Sequence, residues 1–556
     1  MEPSVMSILV PNTKAAFNVR LKNFFTSLML IPAAILFYVH ALNRWPTCLA
    51  NPAIFEACGP NVFGVFTSPT PKTTHKAQEK LSSLKRDCSL FSRLFISCQT
   101  REGNLDNFFE HENQGCPPSL SKLGKLLLPS KKSELAECLQ SFTTPQSKMP
   151  DDVDAIIVDG AVVVNMIKPR SQRTFADYST QSFLPYVQSQ LRHVKRVDIV
   201  WDEYFETSLK ATTRDKRGLG SRRRVQPNNP LPRNWQQFLR NDENKRELFR
   251  FLAECASVLG GEKQVITTYG SEVLCTPPRD DTSTLSPCTQ EEADTRMILH
   301  AADAIQQGYR KVVLRTVDTD VLVLATAFAG QLQDKLAQVW LALGTGVHLR
   351  YIAARDISRS LGSDMSKCLP FFHAFTGCDT VSSFAGKGKK TAFTTWKSCP
   401  AVTESFLELT ERPTQISDEC LARLERFVVV MYDRTSTKTS VNEARKQLFT
   451  QQGRAFNAIP PSRAALLQHA KRATYQAGYC WSQALTPSPD LPCPDKWGWV
   501  FKEGWQPFWT TLPDITASCR ELVRCRCKKG CRANCSCVKA ALKCSALCSC
   551  SDNCNN

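Results

Sequence analysis

The chain has 556 residues, 42% hydrophobic and 22% charged, with a formal net charge of +18 and a pI near 9.0. This length allows two to four domains; the balance suits a globular protein with an ample core and excludes a disordered one, and the positive excess favours polyanionic partners. Ten of the 25 cysteines crowd between Cys519 and Cys554, which argues against a disulfide-stapled body and for a metal–thiolate module in a reducing compartment.

Residues 1–45 contain an uncharged stretch, Asn23 to Asn43, preceded by Lys14, Arg20 and Lys22. Its length and basic flank are compatible with a signal anchor. Pro32 and His40 weaken that reading, and a thiolate-rich tail is poorly suited to an oxidising lumen. A buried hairpin or an extension of little consequence is the alternative. Residues 46–150 are weakly patterned and read as a linker with short helices, one at Leu123–Ser130 and one at Glu134–Phe142.

From Asp154 the period changes. Strands are expected at Ala155–Asp159, Val194–Trp201, Lys263–Thr268, Lys311–Val317, Gln338–Leu343 and His348–Ile352, with a helix over Thr289–Gln306. This alternation predicts an α/β domain over 151–400, a mainly parallel sheet with helices on both faces. In such sheets ligands sit beyond the carboxyl ends of strands, which is where Asp159, Asp202, Asp318 and Asp320 fall.

The stretch from Phe372 to Trp396 predicts a helix, a turn at Thr376–Asp379, a second turn at Ala385–Gly388, and a helix through Lys389, Lys390 and Thr391. Gly386 and Gly388 permit close backbone approach, and amides at a helix start bind phosphate, so these glycines with Lys389 and Lys390 form a candidate nucleic-acid grip. A plain helical hairpin is the alternative. Residues 401–485 read as helical, with an amphipathic helix at Leu466–Trp481. Residues 486–518 form a Pro/Trp-rich linker whose Trp497, Trp499, Trp505 and Trp509 either pin it to the body or stack on unpaired bases.

One acid at a strand end is ordinary; three strand ends with acids, plus Glu292 and Asp294 opening a helix, are not. Crowded carboxylates repel and raise each other's pKa values, and hard divalent cations such as Mg²⁺ or Mn²⁺ relieve this. Two ions about 4 Å apart can activate water and stabilise the leaving oxygen of a phosphodiester.

The order of acids resembles the flap endonuclease (XPG-type) family of PIN-like nucleases, over about residues 154–400. Asp159 in IIVDG and Asp202 in VDIVWDEY resemble its first two strand-end acids. Glu292 and Asp294 in EEADTR resemble its E-x-E pair, with Asp for the second Glu. Asp318 and Asp320 in RTVDTDVL resemble its D-x-D, and Asp379 in TGCDTVSSFAGKGKKTA the acid before its helix–turns–helix. The resemblance implies two Mg²⁺ or Mn²⁺ ions on these seven acids. It also implies phosphate contacts from Lys210 and Arg217 in SLKATTRDKRG, with Arg222, Arg223 and Arg224 extending the charge; a solvated basic loop is the alternative. The family's long arch is shortened here, since only about 60 residues separate Asp202 from the next strand, which puts threading of a flap in doubt. Along its whole length the chain also resembles a widespread group of animal proteins carried by mobile elements, a likeness that assigns no function.

Nine cysteines follow: Cys525, Cys527, Cys531, Cys535, Cys537, Cys544, Cys548, Cys550 and Cys554. Their spacing resembles one CXC repeat of the tesmin-type (CRC) domains. That resemblance implies three Zn²⁺ with some sulfurs bridging, since twelve tetrahedral positions exceed nine thiolates. From Arg520 onward eight basic residues face two acids, so the metal-loaded tail stays basic. Asn534 stands where DNA-binding members carry a tyrosine, and only one repeat is present, which leaves a structural knot or a protein-docking role open beside DNA binding. Cys519 lies outside the repeat, within a module spanning 519–556.

The leading expectation is a metal-dependent, structure-selective nuclease acting on DNA or RNA. The rival is a catalytically inactive nuclear DNA-binding scaffold, and a membrane-anchored protein rests on 23–43 alone. A nuclear location is expected, with a cytoplasmic one as alternative.

Overall fold

The computed structural model describes residues 105–112, 115–205, 208–210, 220–259, 261–332, 336–413, 415–450, 456–513, 523–527, 531–545, 547–550, 554 and 556. The apolar stretch at 23–43 and Arg217 lie outside them. The chain divides into two units, Asn104–Arg520 and Met1–Gly103 with Glu521–Asn556. No helix among the described residues is long and apolar enough to cross a membrane.

The first unit is built on seven strands: β1 (Ala155–Asp159), β2 (Arg196–Val200), β3 (Gln264–Tyr269), β4 (Glu272–Thr276), β5 (Lys311–Thr316), β6 (Gln338–Leu343) and β7 (Arg350–Ala353). They lie in the order β4-β3-β2-β1-β5-β6-β7. The five central strands are parallel, and both edges are antiparallel. The chain winds outward from β1 through β2 to β3, then returns to place β5 on the other side of β1. A crevice opens where the winding reverses, at the carboxyl ends of β1 and β5.

The edges differ from the sequence reading for a steric reason. β4 was not expected; Gly270, at φ +61°, closes a two-residue turn that folds the chain straight back onto β3. Six residues separate β6 from β7, too few for a crossover, so β7 pairs antiparallel.

Alternate residues of the central strands feed opposite faces. Ala155, Ile157, Val312 and Leu314 pack under helices α3 (Ala293–Gln306) and α4 (Thr319–Gln331). Ile156, Val158, Val197 and Val313 face the layer of Leu184–Leu191 and Asp242–Ala256. Both sheet faces are therefore covered, and each fully buried Val or Ile contributes about 1.5–3 kcal/mol. A buried ion network ties β2 to α3: Arg196 donates two hydrogen bonds to Asp198 (2.7 and 2.6 Å) and pairs with Asp303 (2.7 Å), while His300 meets Asp198 at 2.7 Å.

The stretch before β1 is not a linker. Leu120, Leu126, Leu135 and Leu139 are buried in the main core, the last two on α1 (Ser133–Gln140). Gln146 exchanges backbone hydrogen bonds with Tyr351 and extends the edge of the sheet. Polar composition had masked an i, i+4 leucine pair.

Beyond the sheet, α5 (Ser363–Phe375) and α6 (Lys389–Ser398) are joined by two turns, as the sequence leads one to expect. Phe372 stacks on Trp396 at 4.6 Å. Helices α7 (Val402–Glu411), α8 (Asp418–Tyr432), α9 (Val441–Thr450) and α10 (Arg463–Thr474) complete this layer. Arg472 of α10 donates to the carbonyls of Gly498 and Phe508 and lies over the Trp509 ring. Trp499 and Trp509 are buried in the core, so these two rings pin the Pro/Trp-rich segment.

Gly160 begins α2 (Gly160–Met166) directly after β1. A Cβ there would lie 2.2 Å from Trp201, whose buried ring is stacked on Phe249. Gly160→Ala is expected to lower stability by about 1–3 kcal/mol, read as the denaturant midpoint of the full chain. An unchanged midpoint would show that the indole has room to move.

Candidate metal centre

Three neighbouring parallel strands each deliver an acid to one crevice. Asp159 ends β1 and caps α2, its Oδ1 accepting from Val162 N at 3.0 Å. Asp202 lies just past β2, with Oδ1 accepting from Ala293 N at 2.9 Å and Oδ2 accepting from the Tyr204 hydroxyl at 3.2 Å. Asp318 lies just past β5 and caps α4 by accepting from Asp320 N at 2.9 Å. Each strand-end acid thus satisfies an amide at a helix start, the local reason these elements begin where they do. Glu292 precedes α3 and Asp294 sits in its first turn. Ligand atoms of Asp294, Asp318 and Asp320 all lie within 4.8 Å of one another.

The electrostatics follow from burial. Desolvation, then Asp202, pushes the Asp159 carboxyl up to about 7. Desolvation and the charge of Asp320 push Asp318 up to about 7. Asp294 is raised well above the ordinary range by burial, Asp318 and Asp320. Asp320, only 2% exposed, goes the other way. Burial opposes its charge, but Lys132 and His373 outweigh that and hold it well below the usual carboxylate range.

Lys132 is the residue that sequence reasoning missed. It precedes α1, and its Nζ lies 2.7 Å from Asp379 and 3.3 Å from Asp320. Nothing in Lys131-Lys132-Ser133 signals this, because the pairing spans 188 residues. His373, on α5, meets Asp320 at 2.9 Å through Nε2. Burial and the nearby Lys389 charge lower its pKa to about 4, so the ring is neutral and Nε2–H donates. Lys210 pairs with Glu292 at 2.8 Å. Burial alone would lower its pKa, but Glu292, Asp379 and Asp294 raise it well above the ordinary lysine value.

The turn before α6 divides its residues. Gly386, at φ +71°, Gly388 and Lys390 are exposed, whereas Lys389 is 2% exposed. Its Nζ donates to His373 O at 2.5 Å and Thr376 Oγ1 at 2.9 Å. Lys389 is therefore not a surface phosphate contact: the helical register after Gly388 points it inward, where it closes the turn beneath the acids. Arg222 also differs from a free cation, since it is paired with Glu243 and Glu247. Arg223 donates to Pro230 O, and both Arg223 and Arg224 are exposed.

In the second unit the nine tail cysteines are free thiols. Three sets of four sulfurs could each hold an ion: Cys525, Cys527, Cys531 and Cys535; Cys525, Cys531, Cys544 and Cys550; and Cys525, Cys537, Cys544 and Cys548. Cys525 belongs to all three sets, and Cys531 and Cys544 to two each. Sγ separations are 3.4–3.9 Å. That matches the edge of a Zn–thiolate tetrahedron, about 3.8 Å for 2.3 Å bonds, and is far from an S–S bond.

The acid cluster makes a prediction of opposite signs. Without added Mg²⁺ or Mn²⁺, Asp294→Asn removes a repelling charge and is expected to raise the melting temperature of the full chain. Lys132→Ala removes the ammonium shared by Asp320 and Asp379 and is expected to lower it, each change being worth roughly 1 kcal/mol or more. Two shifts of the same sign would disprove this electrostatic account.

No protein-family model matches the sequence, and no curated protein matches it. Among solved structures the chain is similar to the T5 D15 protein co-crystallised with metal ions, at 13% identity and a TM-score of 0.29. The match covers 60% of this chain and 97% of that one. A bacteriophage T5 D15 flap endonuclease pseudo-enzyme–product complex with DNA and metal ions matches with the same identity and coverage and a TM-score of 0.28. The catalytic core of Rad2 in complex with DNA substrate does so with 0.29.

Proposed function

We propose that the sheet and its helical layer form a metal-dependent, structure-selective nuclease that hydrolyses phosphodiester bonds in DNA. The single observation that carries the reading is the mutual approach of Asp294, Asp318 and Asp320 at the reversal of the sheet, with the carboxyls of Asp294 and Asp318 pushed upward first by burial and then by the neighbouring acids. Buried acids that repel one another are a donor set suited to hard divalent cations. Asp159, Asp202, Glu292 and Asp379 would complete the set around them. Bound Mg²⁺ or Mn²⁺ would supply Lewis acidity and an activated water.

The chain's own residues do the rest. Lys210, oriented by Glu292, would meet a phosphate oxygen at the rim of the cluster. Lys132 bridges Asp320 and Asp379 and can transfer its hydrogen bonds from carboxylate to phosphate. Arg217 belongs to the same basic stretch by sequence. The exposed Gly386–Gly388 turn with Lys390, and Arg223 and Arg224, would follow the nucleic-acid backbone. A nuclear location accords with a reduced, cysteine-rich tail.

A second reading is favoured by one observation: the described acids already hold internal cations, Lys132 on Asp320 and Asp379 and Lys210 on Glu292. On that reading the protein is an inactive DNA-binding scaffold. Incubating the full chain with labelled flap, hairpin and linear DNA and Mn²⁺ separates the two. Cleavage is expected, and Asp318→Ala with Asp320→Ala should reduce it to background while sparing duplex binding. Binding without cleavage by the parent favours the scaffold; equal cleavage by parent and double variant removes the site assignment.

The tail is proposed to bind about three Zn²⁺ per chain. Elemental analysis of full-length protein purified under reducing conditions should give that ratio. Cys525→Ser should lose more zinc than Cys527→Ser, because Cys525 is shared by all three sulfur sets. A ratio near one in the parent would overturn the shared cluster.

A further inference from the structure

A cavity of about 430 Å³ is lined by Glu292 and its partner Lys210, whose charges both act on Asp294 of the acid cluster. Its far wall comes from residues 475–505, outside the part of the chain whose acids form the cluster. Phe205, Tyr475 and Trp505 contribute aromatic surface. The volume falls within the range of small-molecule sites and accommodates one nucleoside.

Two buried amides line it, each tethered by one end. Gln476 is 3% exposed; its Oε1 accepts from Thr380 Oγ1 at 2.7 Å, and its Nε2 has no partner among the described residues. Gln290 is 6% exposed; its Nε2 donates to the carbonyls of Ala484 and Thr486 (3.1 and 2.7 Å), and its Oε1 has no partner among the described residues. Leaving a buried donor and a buried acceptor unmade is costly unless a ligand completes them. Gln476 sits on a π-helix, Tyr475–Trp481, a widened turn of the kind that recurs at functional sites.

We propose that this cavity is a nucleobase pocket: it takes the base of one unpaired nucleotide of the strand whose backbone lies on the acid cluster. Rings supply stacking surface, one amide donates to the base edge, the other accepts from it, and Lys210 at the shared rim meets the adjoining phosphate. The pocket rests on the nuclease reading for its neighbouring phosphate, but its occupancy is measurable without turnover.

The test uses the full chain in buffer without Mg²⁺ or Mn²⁺, and a set of single-stranded oligonucleotides in which an abasic site moves along the strand. Charge is constant across the set, so only the missing base differs. About a tenfold loss of affinity is expected at one position or two adjacent ones. Gln476→Leu and the half-exposed Phe205→Ala should flatten that dependence, and the second variant tests the pocket even where the first disturbs folding. Nucleoside monophosphate alone should compete weakly. Equal affinity for every abasic oligonucleotide overturns the pocket, even where Mn²⁺-dependent cleavage is intact. Monophosphate binding as tight as the oligonucleotide overturns the strand-borne base. Base-dependent binding by a parent that cuts nothing sustains the pocket and removes the nuclease reading instead.

Discussion

Asp320 is the constraint around which the first unit is arranged. It is buried beside two other carboxylates, and an ionised acid in that position requires compensation from outside the sheet. The compensation comes from two directions. Lys132 arrives from the segment preceding β1, and His373 from α5. Those two contacts bring the stretch before β1 and helix α5 to the same crevice. Lys389 donates to His373 O and Thr376 Oγ1 and so ties the start of α6 to the end of α5. The uncharged state of that ring follows from the same burial.

The sheet makes this crowding tolerable. Asp159 and Asp318 each accept a helix-start amide, and Asp202 accepts from Ala293 N, so part of their charge is answered by the backbone before any cation binds. The rigid floor beneath them comes from strands buried on both faces and from the Arg196–Asp198–His300 network, which locks β2 to α3. Asp198 and Asp202 lie four residues apart and have different work: the first is sealed and paired within the protein, the second faces the crevice.

The second unit follows a different logic. Its described core is sulfur: Cys525, Cys535 and Cys537 are buried, with few apolar side chains around them. On the proposed zinc reading such a module would hold together through shared ligands, which would tie its stability to metal and to redox state.

Much of the architecture was legible in the sequence. Runs such as AIIVD and KVVLRT, spaced by helical stretches, announced parallel strands, and the acids at their ends were legible as a group at one end of the sheet. The thiolate spacing announced the tail. These features are local: periodicity, strand-end position and spacing are properties of short windows. What the sequence did not disclose are pairings across long separations. Lys132 meets Asp320 across 188 residues, Gln476 meets Thr380 across 96, and Lys389 turns inward although it stands in a basic, glycine-rich run. Whether a lysine faces solvent or closes an interior cavity depends on the helix register and on what packs above it. The sequence by itself determined which groups the protein carries and on which strand ends they stand; the tertiary structure alone decided which charges neutralise one another, because burial and distance set those energies and neither is encoded in a short stretch of chain.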